Sequence, residues 1–176
     1  SFTGISIMKI EEKLDAGPVL MVEKINLDLH KTAGEVEHKL AEIGADTILE
    51  AIDLIRNNQA NFIPQNDLEA TYAKKIKKED EKIEWNQDAK KIIAQIHGLN
   101  PRPGAYFEHK GEKIKIWRAT HSEETGKPGL VINSSLQVAC GTASIKIEEI
   151  QRPGKKIQKT KEFLLGFSIP NNTQLD

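Results

Sequence analysis

The sequence predicts an α/β fragment followed by a small β-barrel domain with a preceding helix. Three observations predict it. From Gly4 to Asn57 the pattern reads strand, loop, strand and amphipathic helix. After Gly104 the apolar period drops to two over about five short segments separated by turn signals. The charge also divides: residues 1–67 hold 6 Lys and Arg against 12 Asp and Glu, net −6, whereas 68–176 hold 19 against 14, net +5. Such a split points to two units with different partners, here drawn at 1–67 and 68–176.

Gly4–Ile10 alternates as a first strand, with Ile5, Ile7 and Ile10 apolar. Glu11–Pro18 is a polar loop holding Asp15 and Gly17. Val19–Leu29 forms a second strand, with Ile25, Leu27 and Leu29 on one face. Thr32 caps a helix, and Glu35 three residues on completes a capping box. Val36, Leu40, Ile43, Ala51, Leu54 and Ile55 supply its buried stripe to about Asn57. Two strands and one helix bury little apolar surface alone, so this piece is not self-sufficient. From Asn58 to Ala73 the pattern weakens, and Pro64-Gln65-Asn66-Asp67 marks a linker.

The second half opens with Lys74-Lys75-Ile76-Lys77-Lys78 and then Glu79-Asp80-Glu81-Lys82. A helix capped by Asn86 ends at Gly98, with Ala89, Ile92, Ile93 and Ile96 at three-four spacing. Strands follow at 105–109, 112–119, 129–133, 137–140 and 143–150. Thr160 then caps a short helix through Gly166.

Composition narrows the function. The one long apolar-periodic stretch, 32–57, is laced with charge, so no membrane span is expected. The chain opens on Ser-Phe-Thr-Gly without a basic stretch, so no signal peptide is expected. A single cysteine, Cys140, allows no intramolecular disulfide and fits a reducing compartment; it reads as a small buried hydrophobe in a strand. The five histidines, His30, His38, His97, His109 and His121, are scattered without metal-ligand spacing, so no metal is expected. His97 ends a helix, where a dipole or capping role is the plain reading. Asp15 reads as a turn residue before Gly17 rather than as a base.

The cations carry more promise. Lys74, Lys75, Lys77 and Lys78 form a dense stretch, Arg102 sits in a Pro-rich turn, and Lys113 and Lys115 alternate on one strand face. Arg152, Lys155 and Lys156 flank Pro153-Gly154 after the last barrel strand. A solvated charged face is the plain alternative, and Glu79, Asp80 and Glu81 favour it locally. A groove of Lys and Arg on a small barrel suits phosphate binding. With few exposed aromatics, folded RNA recognised by shape and backbone fits better than stacked single strands.

Thr3-Gly4-Ile5-Ser6-Ile7-Met8 and Leu14-Asp15-Ala16-Gly17-Pro18-Val19-Leu20 resemble the tail of the formyltetrahydrofolate-dependent transferase signature. Thr71-Tyr72-Ala73-x-Lys75-Ile76, Ile83-x-Trp85, Asn100-Pro101-x-Pro103-Gly104-Ala105, Lys115-Ile116-Trp117 and Pro128-Gly129 resemble the linker and C-terminal domain of methionyl-tRNA formyltransferases. The resemblance covers essentially the whole chain. It implies the end of a Rossmann-like formyltransferase domain followed by an OB-like C-terminal domain that grips tRNA. It also implies formyl transfer from 10-formyltetrahydrofolate to the amine of methionyl-initiator tRNA, in the cytoplasm and by a monomer.

In that family the catalytic Asn, His and Asp are expected upstream of Ser1, with Thr3 and Gly4 ending the Asp-x-x-Thr-Gly pattern. Thr3, Gly4, Asp15 and Gly17 would then lie beside the active site. The chain alone would be inactive and hold no folate. The tRNA-binding set would be Lys74, Lys75, Lys77, Lys78, Arg102, Lys113, Lys115, Arg152, Lys155 and Lys156. The rival readings are a stand-alone OB-type RNA-binding module and an amino-sugar formyltransferase of the same superfamily.

Overall fold

A computed structural model describes residues 2–176. The chain divides into two compact units. One runs to Asp28 and resumes over Glu35–Lys75, and the other comprises Leu29–Gly34 with Ile76–Asp176.

In the first unit β1 (Phe2–Met8) pairs antiparallel with β2 (Val19–Asn26), in register from Phe2↔Asn26 to Ile7↔Met21, with an irregularity at Met8. The helix α1 (Ala33–Arg56) follows, starting where Thr32 and Glu35 predict. Its stripe is only partly covered. Ala51 and Thr47 are buried, while Ile55, expected inside, is half exposed together with Ile48, Leu49 and Ile52. The physical reason is the one anticipated for so small a layer: a two-stranded sheet cannot cover a stripe that wide. The expected linker is more ordered than its composition suggests. Ile63 exchanges two backbone hydrogen bonds with Val19, extending the hairpin by a bridge. Lys13 pairs with Asp67 at 3.0 Å.

The second unit is one antiparallel sheet with helices on it. Its strands are β3 (Ala105–His109), β4 (Glu112–Ser122), β5 (Val131–Asn133), β6 (Gln137–Ala139), β7 (Ser144–Gln151) and β8 (Gln158–Lys159). The order is β3-β4-β7-β6-β5, with β8 on the same side of β7 as β6. β6 pairs with the first half of β7 and β8 with the second half. The two-residue β8 is missed by the sequence because so short a run has no readable period. A bulge at Trp117, between Ile116↔Ile150 and Arg118↔Glu149, bends β4 and makes the sheet curl. The outer edges are covered: Lys82 bridges Tyr106 beside β3, and Gln174 bridges Leu130 beside β5.

Alternation puts Ile114, Ile116, Ile145 and Ile147 into the core with Phe107 and Phe163. The helix α2 (Ala89–Gly98) packs Ile92, Ile93 and Ile96 against this layer. Two cap assignments need correction. Asp88, not Asn86, caps α2 by accepting from the Lys90 N–H at 2.8 Å. The helix α3 (Thr160–Gly166) has Lys159 as its cap, because the Thr160 hydroxyl is buried and donates instead to the Ile147 carbonyl at 2.6 Å.

Candidate nucleic-acid interface

The second unit gathers five of the nominated cations. On β4 the two-residue period places Lys113 and Lys115 on one face, and the ladder sets Lys115 opposite Gln151 at the end of β7. The chain then turns through Arg152-Pro153-Gly154-Lys155. The Lys155 N–H donates to the Arg152 carbonyl at 3.1 Å, and Gly154 has φ +70. Proline followed by a left-handed glycine is the pattern of a type II turn. Lys113, Lys115, Gln151, Arg152, Pro153 and Gly154 line one shallow recess. Arg152, Lys155, Lys156, Phe163 and Phe167 lie on a second, so Arg152 is common to both.

These cations are not equivalent. Arg152 Nη2 and Nε donate side-on to the two Glu112 carboxylate oxygens at 2.6 and 2.9 Å, and its guanidinium stacks 4.3 Å from the Phe167 ring centroid. The guanidinium holds the Glu112 carboxyl below its ordinary pKa, and Glu112 raises that of Arg152. Lys113 donates to the Tyr106 hydroxyl at 3.1 Å, which pushes its pKa upward. Lys115 donates to the Pro103 carbonyl at 2.6 Å. Lys155 and Lys156 are exposed, and neither ammonium has a partner among the described residues. Sequence reasoning missed Glu112 and Phe167, which hold Arg152, and Lys110, whose ammonium lies 5.4 Å from the same ring. An isolated Phe beyond Gly166 and a Glu at a strand start carry no signal until the fold joins them.

The other nominated cations lie elsewhere. Lys74 and Lys75 end the first unit, while Lys77 and Lys78 lie in the second. All four are exposed, and the Lys77 backbone N–H donates to the Asp80 carboxylate at 2.7 Å. Arg102 is exposed between Pro101 and Pro103, in a turn anchored by Asn100, whose amide donates to the Trp117 carbonyl at 2.7 Å.

In the first unit, Gly4 and Gly17 are glycines for steric reasons. A Cβ on Gly4 would overlap the Glu23 carbonyl, and one on Gly17 the Lys9 carbonyl. Thr3 pairs with Ile25 across the hairpin. Asp15 sits in a turn with φ +53, and the Gln65 amide donates to the carbonyls of Asp15 and Gly17 at 2.9 and 2.7 Å. His97 is buried and bonded on both ring nitrogens. Nδ1 lies 2.7 Å from the Leu29 carbonyl and Nε2 lies 3.3 Å from the Ala119 N–H. In that pattern Nδ1 donates and Nε2 accepts. The role goes beyond the helix-end one expected. Cys140 is buried just past β6, and burial pushes its thiol up to about 12. Among the described residues no three His, Cys, Asp or Glu side chains gather to hold a metal ion, and no helix is long and apolar enough to cross a membrane.

The family described as formyl transferase, C-terminal domain, matches residues 75–168. The chain belongs to that family. A methionyl-tRNA formyltransferase from Pelagibacter ubique is 42% identical over 174 residues, covering 98% of this chain and 56% of its own length. The chain spans a little over half the length of the curated relatives it matches. HypX from Aquifex aeolicus, solved with tetrahydrofolic acid, shares the fold at TM-score 0.72 and 20% identity, over 97% of this chain and 31% of that one. A methionyl-tRNA formyltransferase from Clostridium thermocellum aligns at TM-score 0.55 and 25% identity, over 68% of this chain and 51% of that one.

The formyl transferase C-terminal domain match takes in α2, the curled sheet and α3, and with them both recesses around Arg152. Of the nominated cations, only Lys74 lies outside it.

Proposed function

We propose that this chain is the C-terminal portion of a methionyl-tRNA formyltransferase, a cytoplasmic enzyme that moves a formyl group from 10-formyltetrahydrofolate to the amine of methionyl-initiator tRNA. In this reading residues 1–67 close a Rossmann-like catalytic layer, and 68–176 form an OB-like tRNA-binding domain. The observation that carries it is the 42% identity to the Pelagibacter ubique protein over 98% of this chain. The geometry of the second unit supports the tRNA role. Lys155 and Lys156 stand at the edge of a turn, with no partner for either ammonium among the described residues. Ammonium groups presented in that way bind phosphate oxygens by releasing condensed counterions. Such contacts set position and orientation and carry no direct sequence information.

Filter binding of tRNA at several salt concentrations tests this. Lys155→Ala with Lys156→Ala should flatten the log–log salt slope by about one to two units, and should weaken different tRNAs about equally. Unchanged slope and unchanged affinity would make the two lysines mere solvated surface.

A further inference from the structure

Charge alone would make Arg152 the strongest phosphate ligand of its group, since a guanidinium offers a planar fork to an anion. Its geometry says otherwise. The Nε/Nη2 edge, one of the two edges able to make a bidentate phosphate contact, is already taken by Glu112 at 2.6 and 2.9 Å. One face of the guanidinium lies on Phe167. The pair is about one-third exposed, so it is shielded from water on several sides. The turn that follows is held from both ends. The Trp117 indole N–H donates to Gln151 Oε1 at 2.9 Å, and the Gln151 amide donates to the Lys155 carbonyl at 2.6 Å. The Lys155 N–H closes the turn on the Arg152 carbonyl. The Gln151 amide, the Arg152 guanidinium and the Lys155 backbone are thus engaged within the protein, whereas the two lysine ammoniums have no partner among the described residues.

We infer that Arg152, fixed by Glu112 and Phe167, is a positioning residue that presents Lys155 and Lys156 to RNA and does not itself bind phosphate. This rests on the tRNA-binding reading above. Holding the loop in its bound shape removes the ordering cost that a floppy loop would meet on binding. The inference makes a prediction opposite in sign to that of simple charge. Glu112→Gln removes a negative charge next to a polyanion site and loosens the guanidinium, since the amide keeps only one acceptor oxygen for it. If Arg152 bound phosphate, RNA affinity would rise. As a positioning residue, Arg152 loses its anchor and affinity falls.

The experiment compares tRNA binding by the full chain, Glu112→Gln, the exchange Glu112→Arg with Arg152→Glu, and each change combined with Lys155→Ala and Lys156→Ala. The expected result for Glu112→Gln is weakening on the order of fivefold. The exchange should restore binding, because it remakes the pair in reverse. With both lysines removed, Glu112→Gln should weaken binding no further. Tighter or unchanged binding by Glu112→Gln would overturn the inference, as would a further loss in the lysine-free background.

A second measurement needs no RNA. Tryptic cleavage after Lys155 and Lys156 should speed up in Glu112→Gln and return towards the wild-type rate in the exchange variant. Unchanged cleavage would overturn the positioning role. Wild-type chain that fails to bind tRNA in a salt-dependent way would instead sink the functional reading and leave the cleavage result to decide the loop.

Discussion

His109 shows how much a single side chain can report about its surroundings. It ends β3, packs edge-on against Phe167 with centroids 5.9 Å apart, and buries Nε2 with no hydrogen-bond partner among the described residues. Burial pushes its pKa below the usual histidine value, neighbouring Lys110 adds to the depression, and Asp176 opposes it. The sign of the pH effect follows. Below about pH 6.5 the unfolded chain takes up a proton that the folded one resists, so stability falls as pH drops from there towards the lowered folded value. His109→Phe removes the titrating group. Its urea midpoint relative to wild type should therefore improve between pH 7.5 and 5.5. A difference that stays constant across that range would mean that His109 does not carry this linkage. The sequence offered no hint of it, since His109 was one of five scattered histidines until the fold set Phe167 beside it.

At the scale of elements, the hairpin of the first unit depends on one close approach. The loop between β1 and β2 brings Gly17 against the Lys9 carbonyl, and the Lys9 N–H donates to the Pro18 carbonyl at 3.0 Å. The Gln65 amide then fastens the same turn from the end of the bridged segment. Gly17→Ala puts a methyl group where a backbone oxygen stands, so the strands must part locally. A cost of about 1–3 kcal/mol is expected, as for other overpacked sites. It should show as faster hydrogen exchange at β1 and β2 amides, with amides of β4 and β7 unaffected. Equal exchange in β1 and β2 would refute the steric account. The hairpin and α1 were legible because their periods and breakers are local. The Asp88 cap was not, because Asn86 and Asp88 are both good capping residues and only the backbone trace chooses between them. Thr160 was misread for a related reason: its hydroxyl had a tertiary acceptor, Ile147, that no local pattern displays.

At the scale of the whole molecule, the chain enters the second unit twice. Leu29–Gly34 belongs with residues 76–176, although in sequence it runs from the loop after β2 into the start of α1. Its Leu29 carbonyl meets His97 Nδ1 at 2.7 Å, and the Gly34 N–H donates to the Asn100 carbonyl at 3.0 Å. A segment 68–176 should fold, since it holds the entire curled sheet, but it leaves the buried His97 ring half satisfied. Such an orphaned group costs about 1–3 kcal/mol. Urea unfolding should therefore place 68–176 below a 29–176 segment in stability, and equal stabilities would show that 29–34 contributes nothing. Most strand and helix positions (the two-residue β8 excepted), the acidic and basic halves and the cations of the Arg152 turn were determined by the sequence itself, because periodicity, turn chemistry and charge are local properties of the chain. Only the tertiary structure decided which cations are engaged and which are free, that a loop of one half completes the other, and that Arg152 faces Glu112 rather than solvent. Those outcomes depend on partners that stand between 7 positions away, as Tyr106 does from Lys113, and 68, as Leu29 does from His97, and no local pattern encodes which partner a side chain will meet.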